Sequence, residues 1–266
     1  MIRLKTGQFF GDTNQTIQLG GMTLTDTAYT HSYVDWHYHE NPYFTFILSG
    51  NVTEGSHKNT HHCSAGTLLF HNWYEKHFNS KPPGSTRGFH VELTSEWFSK
   101  YDIDISELRG NIEVKDPFVR QLMYEVFKEK SISTSLDLSI NSLLIQILDG
   151  LKRLSETSAF RPSWVNLVRE ILHDLNGQPI TLTELARLAN VHPVHLSRDF
   201  KKHFGCNLGV YSRRLRLLHA LSIIPQSSQS LTEIAFDAGY ADQSHFIREC
   251  RKFLALRPHQ YRKLIS

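Results

Sequence analysis

The chain has 266 residues, a net charge of +3 and a hydrophobic fraction of 40%, which is typical of a soluble globular protein with room for two domains. Its three cysteines form no Cys-x-x-Cys motif, so the sequence disfavours a disulfide framework and a cysteine-ligated zinc site. The N-terminus lacks a signal-peptide core, and no apolar run approaches the length of a membrane span. We therefore predict a cytoplasmic protein with no membrane partner.

Residues 1–110 are predicted to form strands and turns. Polar and apolar residues alternate in 16–19 and 34–38, as expected for half-buried strands. Clusters of Gly, Asn, Ser and Pro, such as 49–51 and 81–84, separate these segments. Short strands between regular turn signals indicate an all-β sandwich or barrel.

Residues 111–155 are predicted to be helical. Asp116 and Pro117 mark a helix start, because Pro is favoured at the first helical position, and this helix should reach about Lys130. From Ser135 to Ser155, apolar residues recur every three or four positions, which predicts an amphipathic helix.

The apolar stripe of this second helix allows two interpretations. Ile140, Ile147 and Leu154 are seven residues apart, which fits a coiled-coil seam between two copies of the chain. Alternatively, the helix packs on its own barrel. The stripe comprises Leu136, Ile140, Leu143, Leu144, Ile147, Leu148, Leu151 and Leu154.

Small and polar residues at 156–162 predict a linker, and residues 163–266 a second domain. This domain has 14 Lys and Arg against 8 Asp and Glu, a net charge of +6, whereas residues 1–162 carry −3. A basic module beside a slightly acidic one is expected of a DNA-binding domain attached to a sensing domain.

The basic domain contains one helical unit written twice. Each copy begins with a Ser/Thr-x-x-Glu capping box, at Thr181–Glu184 and at Ser230–Glu233. A turn follows, and then a second helix, around Arg198 in the first copy and Arg248 in the second, at an offset of 50 residues. Two helices joined by a tight turn predict a helix-turn-helix unit, whose second helix can enter the DNA major groove.

Several motifs in this repeat resemble the AraC/XylS family of bacterial transcription regulators. The run Ala-x-x-Ala-Gly-Tyr-x-Asp-Gln-Ser-His-Phe-x-Arg from Ala235 to Arg248 resembles the family signature. Related motifs at 196–205 and 257–262 extend the likeness to roughly residues 165–264. The chain departs from the family at four positions: Cys250 and Leu254 replace Phe, and Ala255 and Asn190 replace Gly.

The N-terminal region resembles the cupin jelly roll, the usual effector domain of AraC-type regulators, through residues 36–50 and 65–77. The two resemblances together imply a multidomain α+β protein. Its parts would be a cupin-like β jelly roll (1–110), a helical dimerisation segment (111–155), and an all-α domain with two helix-turn-helix units (163–266).

Three histidines in the cupin-like region are candidate metal ligands. His37 and His39 lie two apart on a strand and so share one face, and His77 would join them from a second strand. Three imidazoles can hold a divalent metal, but Tyr43 and Phe44 stand where the glutamate ligand is expected. We assign no cofactor, because histidines lining a metal-free barrel are the alternative. Four flanking histidines, His57, His61, His62 and His71, are predicted to be loop or surface residues.

The aromatic-rich interior suits either a packed core or a small-molecule pocket. The candidate pocket residues are Trp36, His37, His39, Tyr43, Phe46 and His77.

By motif position, the second helices carry the DNA contacts. Arg can bind guanine through two hydrogen bonds, Gln can pair with adenine, and small apolar groups can touch the thymine methyl. A surface ion pair is the alternative role for each Arg. The predicted base-contacting residues are Val194, Ser197, Arg198, Gln243, Ser244, His245 and Arg248. The predicted phosphate-contacting residues are Lys201, Lys202, Arg251 and Lys252.

These residues predict a ligand-responsive, sequence-specific transcription regulator and not an enzyme. The implied partners are double-stranded DNA, a small-molecule effector, a second copy of the chain and RNA polymerase. Two alternatives are a metal-dependent cupin enzyme fused to a DNA-binding tail and a DNA-architectural protein.

Overall fold

The computed structural model describes residues 1–132, 136–156 and 162–265. It divides into two compact units: Met1–Lys152 together with Leu264 and Ile265, and Arg153–Lys263. Most of the predicted linker, residues 157–161, lies outside the described residues.

The first unit contains two β-sheets, which confirms the predicted β-rich domain. The five-stranded sheet has the order β1-β4-β9-β6-β7, and the six-stranded sheet the order β11-β8-β5-β10-β3-β2. All recorded pairings are antiparallel except β1 with β4. The strands are β1 (Ile2–Leu4), β2 (Asp12–Leu19), β3 (Met22–Tyr29), β4 (Tyr33–His39), β5 (Tyr43–Ser49), β6 (Asn51–Ser56), β7 (Thr60–Ser64), β8 (Leu68–His71), β9 (His77–Ser80), β10 (Thr86–Leu93) and β11 (Asn111–Glu113).

The six-stranded sheet packs its outer face against a helix. Phe46 lies 4.8 Å from Tyr124, and Phe89 lies 5.4 Å from Phe127, as ring-centroid distances. All four rings are fully buried, so this layer is apolar core. Three helices belong to the unit: α1 (Ser95–Lys100), α2 (Pro117–Ile132) and α3 (Leu136–Glu156).

The predicted start of α2 is confirmed, because the Asp116 carboxylate accepts hydrogen bonds from the backbone N–H groups of Phe118 and Val119. The stripe on α3 packs within its own unit. Ile140 and Ile147 are fully buried, which supports the interpretation that α3 packs on its own unit over the coiled-coil interpretation. The inner face of α3 packs on the rest of this unit, so it is not available to a second copy of the chain. The side chain of Leu136, the first residue of the stripe, lies outside the described residues.

The second unit is entirely helical over its described residues, as predicted. Its two helix-turn-helix units are α5–α6 and α8–α9, with α7 between them. The helices are α4 (Ser163–Asp174), α5 (Leu182–Leu188), α6 (Pro193–Phe204), α7 (Leu208–Ile223), α8 (Leu231–Asp237), α9 (Gln243–Leu254) and α10 (Pro258–Ile265).

Candidate DNA-reading helices and barrel cavity

Both predicted capping boxes are formed. The Thr181 hydroxyl accepts from the Glu184 backbone N–H at 3.1 Å, and the Glu184 carboxylate accepts from the Thr181 N–H at 3.0 Å. Ser230 and Glu233 repeat the arrangement at 3.2 and 2.7 Å. Each box satisfies donors that the first turn of a helix leaves unpaired, so each helix-turn-helix unit has a fixed beginning.

The turn of each helix-turn-helix unit contains one residue with left-handed backbone. Asn190 has φ of 51° and Gly239 has φ of 81°. The second helices then begin at residues that favour a helix start: Pro193 stands at the start of α6, and the Asp242 carboxylate accepts from the His245 N–H at 2.7 Å. Local sequence therefore sets where α6 and α9 start.

Helices α6 and α9 are equivalent residue by residue. Each has 12 residues, and each buries its fourth, eighth and twelfth. In α6 these are Leu196, Phe200 and Phe204; in α9 they are Phe246, Cys250 and Leu254. Residues four apart lie on one helix face, so both helices anchor the same face and expose the same opposite face.

The predicted base-contacting residues lie mostly on these exposed faces. Val194 is 64% exposed, which is unusual for a valine without a partner surface. Gln243 and His245 are half-buried: Gln243 Oε1 accepts from the Thr232 hydroxyl at 3.0 Å, and the His245 ring meets Tyr240 edge-on at 5.2 Å. The exposed members are Val194, Ser197, Arg198, Ser244 and Arg248.

Arg198 makes the ion pair that was considered as its alternative role. Its Nε and Nη2 donate to the two carboxylate oxygens of Asp199 at 2.9 and 3.1 Å. The hydrogen bond to Asp199 raises the pKa of Arg198. The Arg198 side chain remains 65% exposed, so the pair lies at the solvent-exposed surface of α6.

The four predicted phosphate contacts are all exposed. Lys201 and Lys202 lie in the last turns of α6, and Arg251 and Lys252 occupy the same positions in α9. The repeat thus places a pair of cations at equivalent positions in α6 and α9.

Arg216 on α7 has a structural role within the helical unit. Its Nε donates to the Gly177 carbonyl at 3.1 Å, and its guanidinium lies 5.6 Å from the Tyr240 ring centroid. Gly177 has φ of 80°, and a Cβ there would meet the backbone of Arg216. Arg216 therefore joins the α4–α5 connection to the turn of the second helix-turn-helix unit.

A cavity of about 50 Å³ lies between the two sheets of the first unit, which together are called the barrel below; it has room for a few water molecules at roughly 10–15 Å³ each. Two half-buried aromatic side chains that precede β2 line this cavity. Phe9 stacks on His90 with ring centroids 3.7 Å apart, and Phe10 lies 5.1 Å from His37. Other lining residues are Tyr29, His39, Tyr43, Thr45, Glu54, His77 and Asn79.

Backbone carbonyls orient two of the cavity histidines. His37 Nδ1 lies 2.8 Å from the Asp35 carbonyl, and His77 Nδ1 lies 3.0 Å from that of Glu75. Because a carbonyl only accepts, both Nδ1 atoms carry the proton, and each neutral ring offers Nε2 as an acceptor. The Tyr43 hydroxyl, 3.0 Å away, donates to His77 Nε2.

Burial makes the charged forms of the interior groups unfavourable. It lowers the pKa of His37, and it lowers the pKa values of His39 and His77 well below the ordinary histidine value. It lowers the pKa of His90 to about 3 and raises the pKa of Glu54 to about 8. The interior therefore favours neutral groups.

Three sequence predictions in the barrel are wrong. Trp36 lies outside the cavity, stacked on His57 at 4.3 Å, and Phe46 faces α2. Both alternate with the inward-facing residues of their strands. His71, predicted to be a surface residue, is fully buried, because it pairs with Tyr43 across the β5–β8 ladder.

The three predicted metal ligands do converge. Donor atoms of His37, His39 and His77 lie within 4.8 Å of one another, and all three residues are buried. The set lacks a carboxylate, because Tyr43 occupies the position of the expected glutamate. A second group, which sequence reasoning missed, joins His77 with Glu54 and His71 under the same distance limit.

Comparison with known proteins identifies both units. A family model described as an AraC-like ligand binding domain matches residues 19–148, and one described as a helix-turn-helix domain matches residues 185–264. The chain is 32% identical over 103 residues to PqrA, a probable transcription factor of Proteus vulgaris; the match covers 37% of this chain and 84% of PqrA. The protein belongs to the AraC family of transcription regulators.

This AraC-family chain also matches an uncharacterised HTH-type transcriptional regulator of Haemophilus influenzae, with 34% identity over 85 residues. That match covers 32% of the chain and only 28% of the relative. Among solved structures, ToxT of Vibrio cholerae aligns over 91% of this chain and 99% of its own, with 11% identity and a TM-score of 0.39.

Several interior residues of this AraC-family barrel carry no local sequence signal. Glu54, His71 and His90 come from three strands, and Phe9 from a segment outside the cupin-like motifs.

No helix within the described residues is long and apolar enough to cross a membrane.

Proposed function

We propose that the protein binds double-stranded DNA sequence-specifically and regulates transcription in response to a small-molecule effector. The equivalence of α6 and α9 carries the DNA-binding half. Two helices with the same buried positions and the same exposed Arg support two reading elements in one chain. Family membership favours this function over a cupin enzyme with a DNA-binding tail.

Each reading helix would lie in a major groove with Arg198 or Arg248 toward the base edges. Val194, exposed four residues before Arg198, offers an apolar contact for a thymine methyl. Ser197, Gln243, Ser244 and His245 complete the base-facing set. Lys201, Lys202, Arg251 and Lys252 would contact phosphates, which gives affinity without sequence choice.

The ion pair of Arg198 with Asp199 does not prevent base reading. Exposed ion pairs contribute only about 0–1 kcal/mol, whereas a two-pronged contact of Arg to guanine contributes about 1–3 kcal/mol of discrimination. Arg198 can therefore exchange its carboxylate partner for a guanine.

The effector would occupy the barrel, where buried polar groups line a small cavity. His37, Tyr43 and His77 supply hydrogen-bonding groups, and the apolar walls exclude water. An effector larger than a few waters would have to displace cavity-lining side chains such as Phe9 or Phe10. Because Phe9 and Phe10 belong to the segment before β2, their displacement would couple effector binding to a movement of that segment.

A homodimer through the outer face of α3 is part of the proposal. The inner stripe of α3 is used within its own unit, but Leu138 on the outer face is 83% exposed. Light scattering should give a dimer mass for the wild type and a monomer mass for Leu138→Asp if this face mediates the contact. An activator bound to DNA would in addition recruit RNA polymerase.

Selection from a random DNA library with the full chain tests the function. A regulator should enrich a motif with two half-sites about 10–10.5 base pairs apart, one helical turn. Enrichment of flexible or narrow-groove DNA without a motif would instead indicate an architectural protein. A thermal-shift screen of the full chain then finds the effector, because a ligand stabilises the state it binds.

A further inference from the structure

A carboxylate and an imidazole face each other in the barrel interior with no hydrogen bond between them. Glu54 Oε2 lies 3.5 Å from His71 Nε2, and both side chains are buried. Within the described residues, His71 Nε2 has no hydrogen-bond partner. A hydrogen bond from a carboxylic acid would be about 2.5–3.0 Å long, so the 3.5 Å gap is too wide for a shared proton.

The surrounding amides fix the orientation of both groups. Asn111 Nδ2 donates to Glu54 Oε1 at 3.2 Å, and its Oδ1 accepts from His71 Nδ1 at 3.1 Å. Asn79 Nδ2 donates to Glu54 Oε2 at 3.4 Å. With the proton of His71 on Nδ1, the lone pair of Nε2 points at the carboxylate. The Glu54 carboxyl and the His71 lone pair thus converge on one position, which a metal cation can occupy.

His77 completes the group. Its donor atom lies within 4.8 Å of those of Glu54 and His71, and the Glu75 carbonyl holds its Nδ1 proton. Such outer partners, on the far side of a histidine or a carboxylate, are what orient metal ligands in proteins.

We infer that Glu54, His71 and His77 form a binding site for a divalent transition metal of the zinc class. Ligands about 2.0–2.2 Å from a tetrahedral zinc lie roughly 3.3–3.6 Å apart, and the Glu54–His71 distance falls in that range. Two imidazoles and a carboxylate suit Zn²⁺ or Co²⁺ and leave a coordination position for water or a small ligand.

Charge favours this group over His37, His39 and His77. A divalent ion buried without a counter-charge is strongly disfavoured, and the three-histidine group supplies none. Both groups include His77, so a single ion can occupy only one of the two sites. In either case Tyr43 must release His77 Nε2, which rotation of its hydroxyl allows.

Titration of the EDTA-treated full chain with Co²⁺, followed by visible absorption and calorimetry, tests the site. Wild type should bind one ion per chain with the spectrum of tetrahedral cobalt. Glu54→Gln and His71→Asn should each weaken binding about tenfold or more. The exposed His57→Asn variant is the matched control and should bind within about twofold of wild type. Far-UV circular dichroism without metal checks that each variant folds. If His71→Asn does not fold, the isosteric Glu54→Gln is enough to test the site.

Absence of stoichiometric binding by wild type would overturn the inference. So would retained affinity in folded Glu54→Gln together with loss in His39→Asn, because the ion would then lie on the three-histidine group. The regulatory meaning of the metal rests on the proposed function, and DNA selection judges that separately. Cobalt bound by a chain that selects no DNA motif would leave the site standing and refute the regulator.

Discussion

Arg198 and Asp199, adjacent on α6, form a two-pronged ion pair on the exposed face of the first reading helix. In α9 the equivalent residues are Arg248 and Glu249. Among the described residues, Arg248 has no recorded carboxylate partner within 4.0 Å. The two reading helices therefore share a fold but differ in how their arginines are held.

Asp199→Asn should raise affinity for DNA severalfold, because it removes both a competitor for Arg198 and a negative charge beside the phosphates. Fluorescence anisotropy on the selected site, over a range of salt concentrations, measures the change. Glu249→Gln is the matched control for charge alone. If Asp199→Asn weakened specific binding while Glu249→Gln did not, Asp199 would instead hold Arg198 in its reading position.

Arg248→Ala should weaken binding to the selected site by roughly 1–3 kcal/mol and relax base choice at one position. Lys252→Ala, in the next turn of the same helix, should lower affinity on every sequence and reduce the salt dependence. Competition between selected and random DNA separates the two effects. Equal losses on both DNAs for Arg248→Ala would contradict its assignment as a base contact.

Ala255→Gly should stabilise the protein by about 1 kcal/mol. Ala255 ends α9 in the left-handed region, with φ of 54°, where its repeat counterpart Gly205 has φ of 73°. A Cβ disfavours that region by roughly 1–2 kcal/mol. Chemical denaturation of the wild type and of Ala255→Gly measures the difference in the free energy of unfolding.

The reciprocal change, Gly205→Ala, is the control. A Cβ at Gly205 would meet no atom within 4 Å, so its expected loss of about 1 kcal/mol reports backbone strain alone. No gain for Ala255→Gly, with the expected loss for Gly205→Ala, would mean that the Ala255 methyl group contributes packing that offsets the strain.

His90 should make the protein sensitive to acid. Burial lowers its pKa to about 3 in the folded state, against about 6.5 in the unfolded chain. The unfolded state then binds more protons between these values, so stability is lost as pH falls below 6.5. From pH 7 to 5 this group alone should cost roughly 2 kcal/mol.

His90→Gln should remove that component, because Gln does not titrate but can still meet the Tyr29 and Thr45 hydroxyls that now bond the imidazole. Urea denaturation at pH 7 and pH 5 measures the difference. The exposed His57→Gln variant should keep the wild-type pH dependence. An unchanged loss in His90→Gln would place the acid sensitivity on the other buried groups.

Much of the DNA-binding half could be predicted from sequence. Capping boxes, turn residues and the offset of 50 between Arg198 and Arg248 depend on neighbours within one or two helical turns. The sequence does not indicate which arginine forms an ion pair. Arg198 precedes Asp199 and Arg248 precedes Glu249, so both arginines have a carboxylate at the same spacing.

The barrel was only partly predictable. Alternation correctly placed His37 and His39 on one face, but Phe46 lies in a continuous apolar run in which the inward positions cannot be told from the outward ones. For the same reason His71, at the end of such a run, was placed on the surface.

The sequence by itself determined the two domains, the repeated reading helix and the pair of inward histidines. Only the tertiary structure decided that Glu54 and His71 face each other, that Phe9 lines the cavity, and that the α3 stripe is covered. Helical signals arise from contacts within a few residues of one another, whereas a barrel interior is assembled from strands whose pairing and register are set by distant parts of the chain.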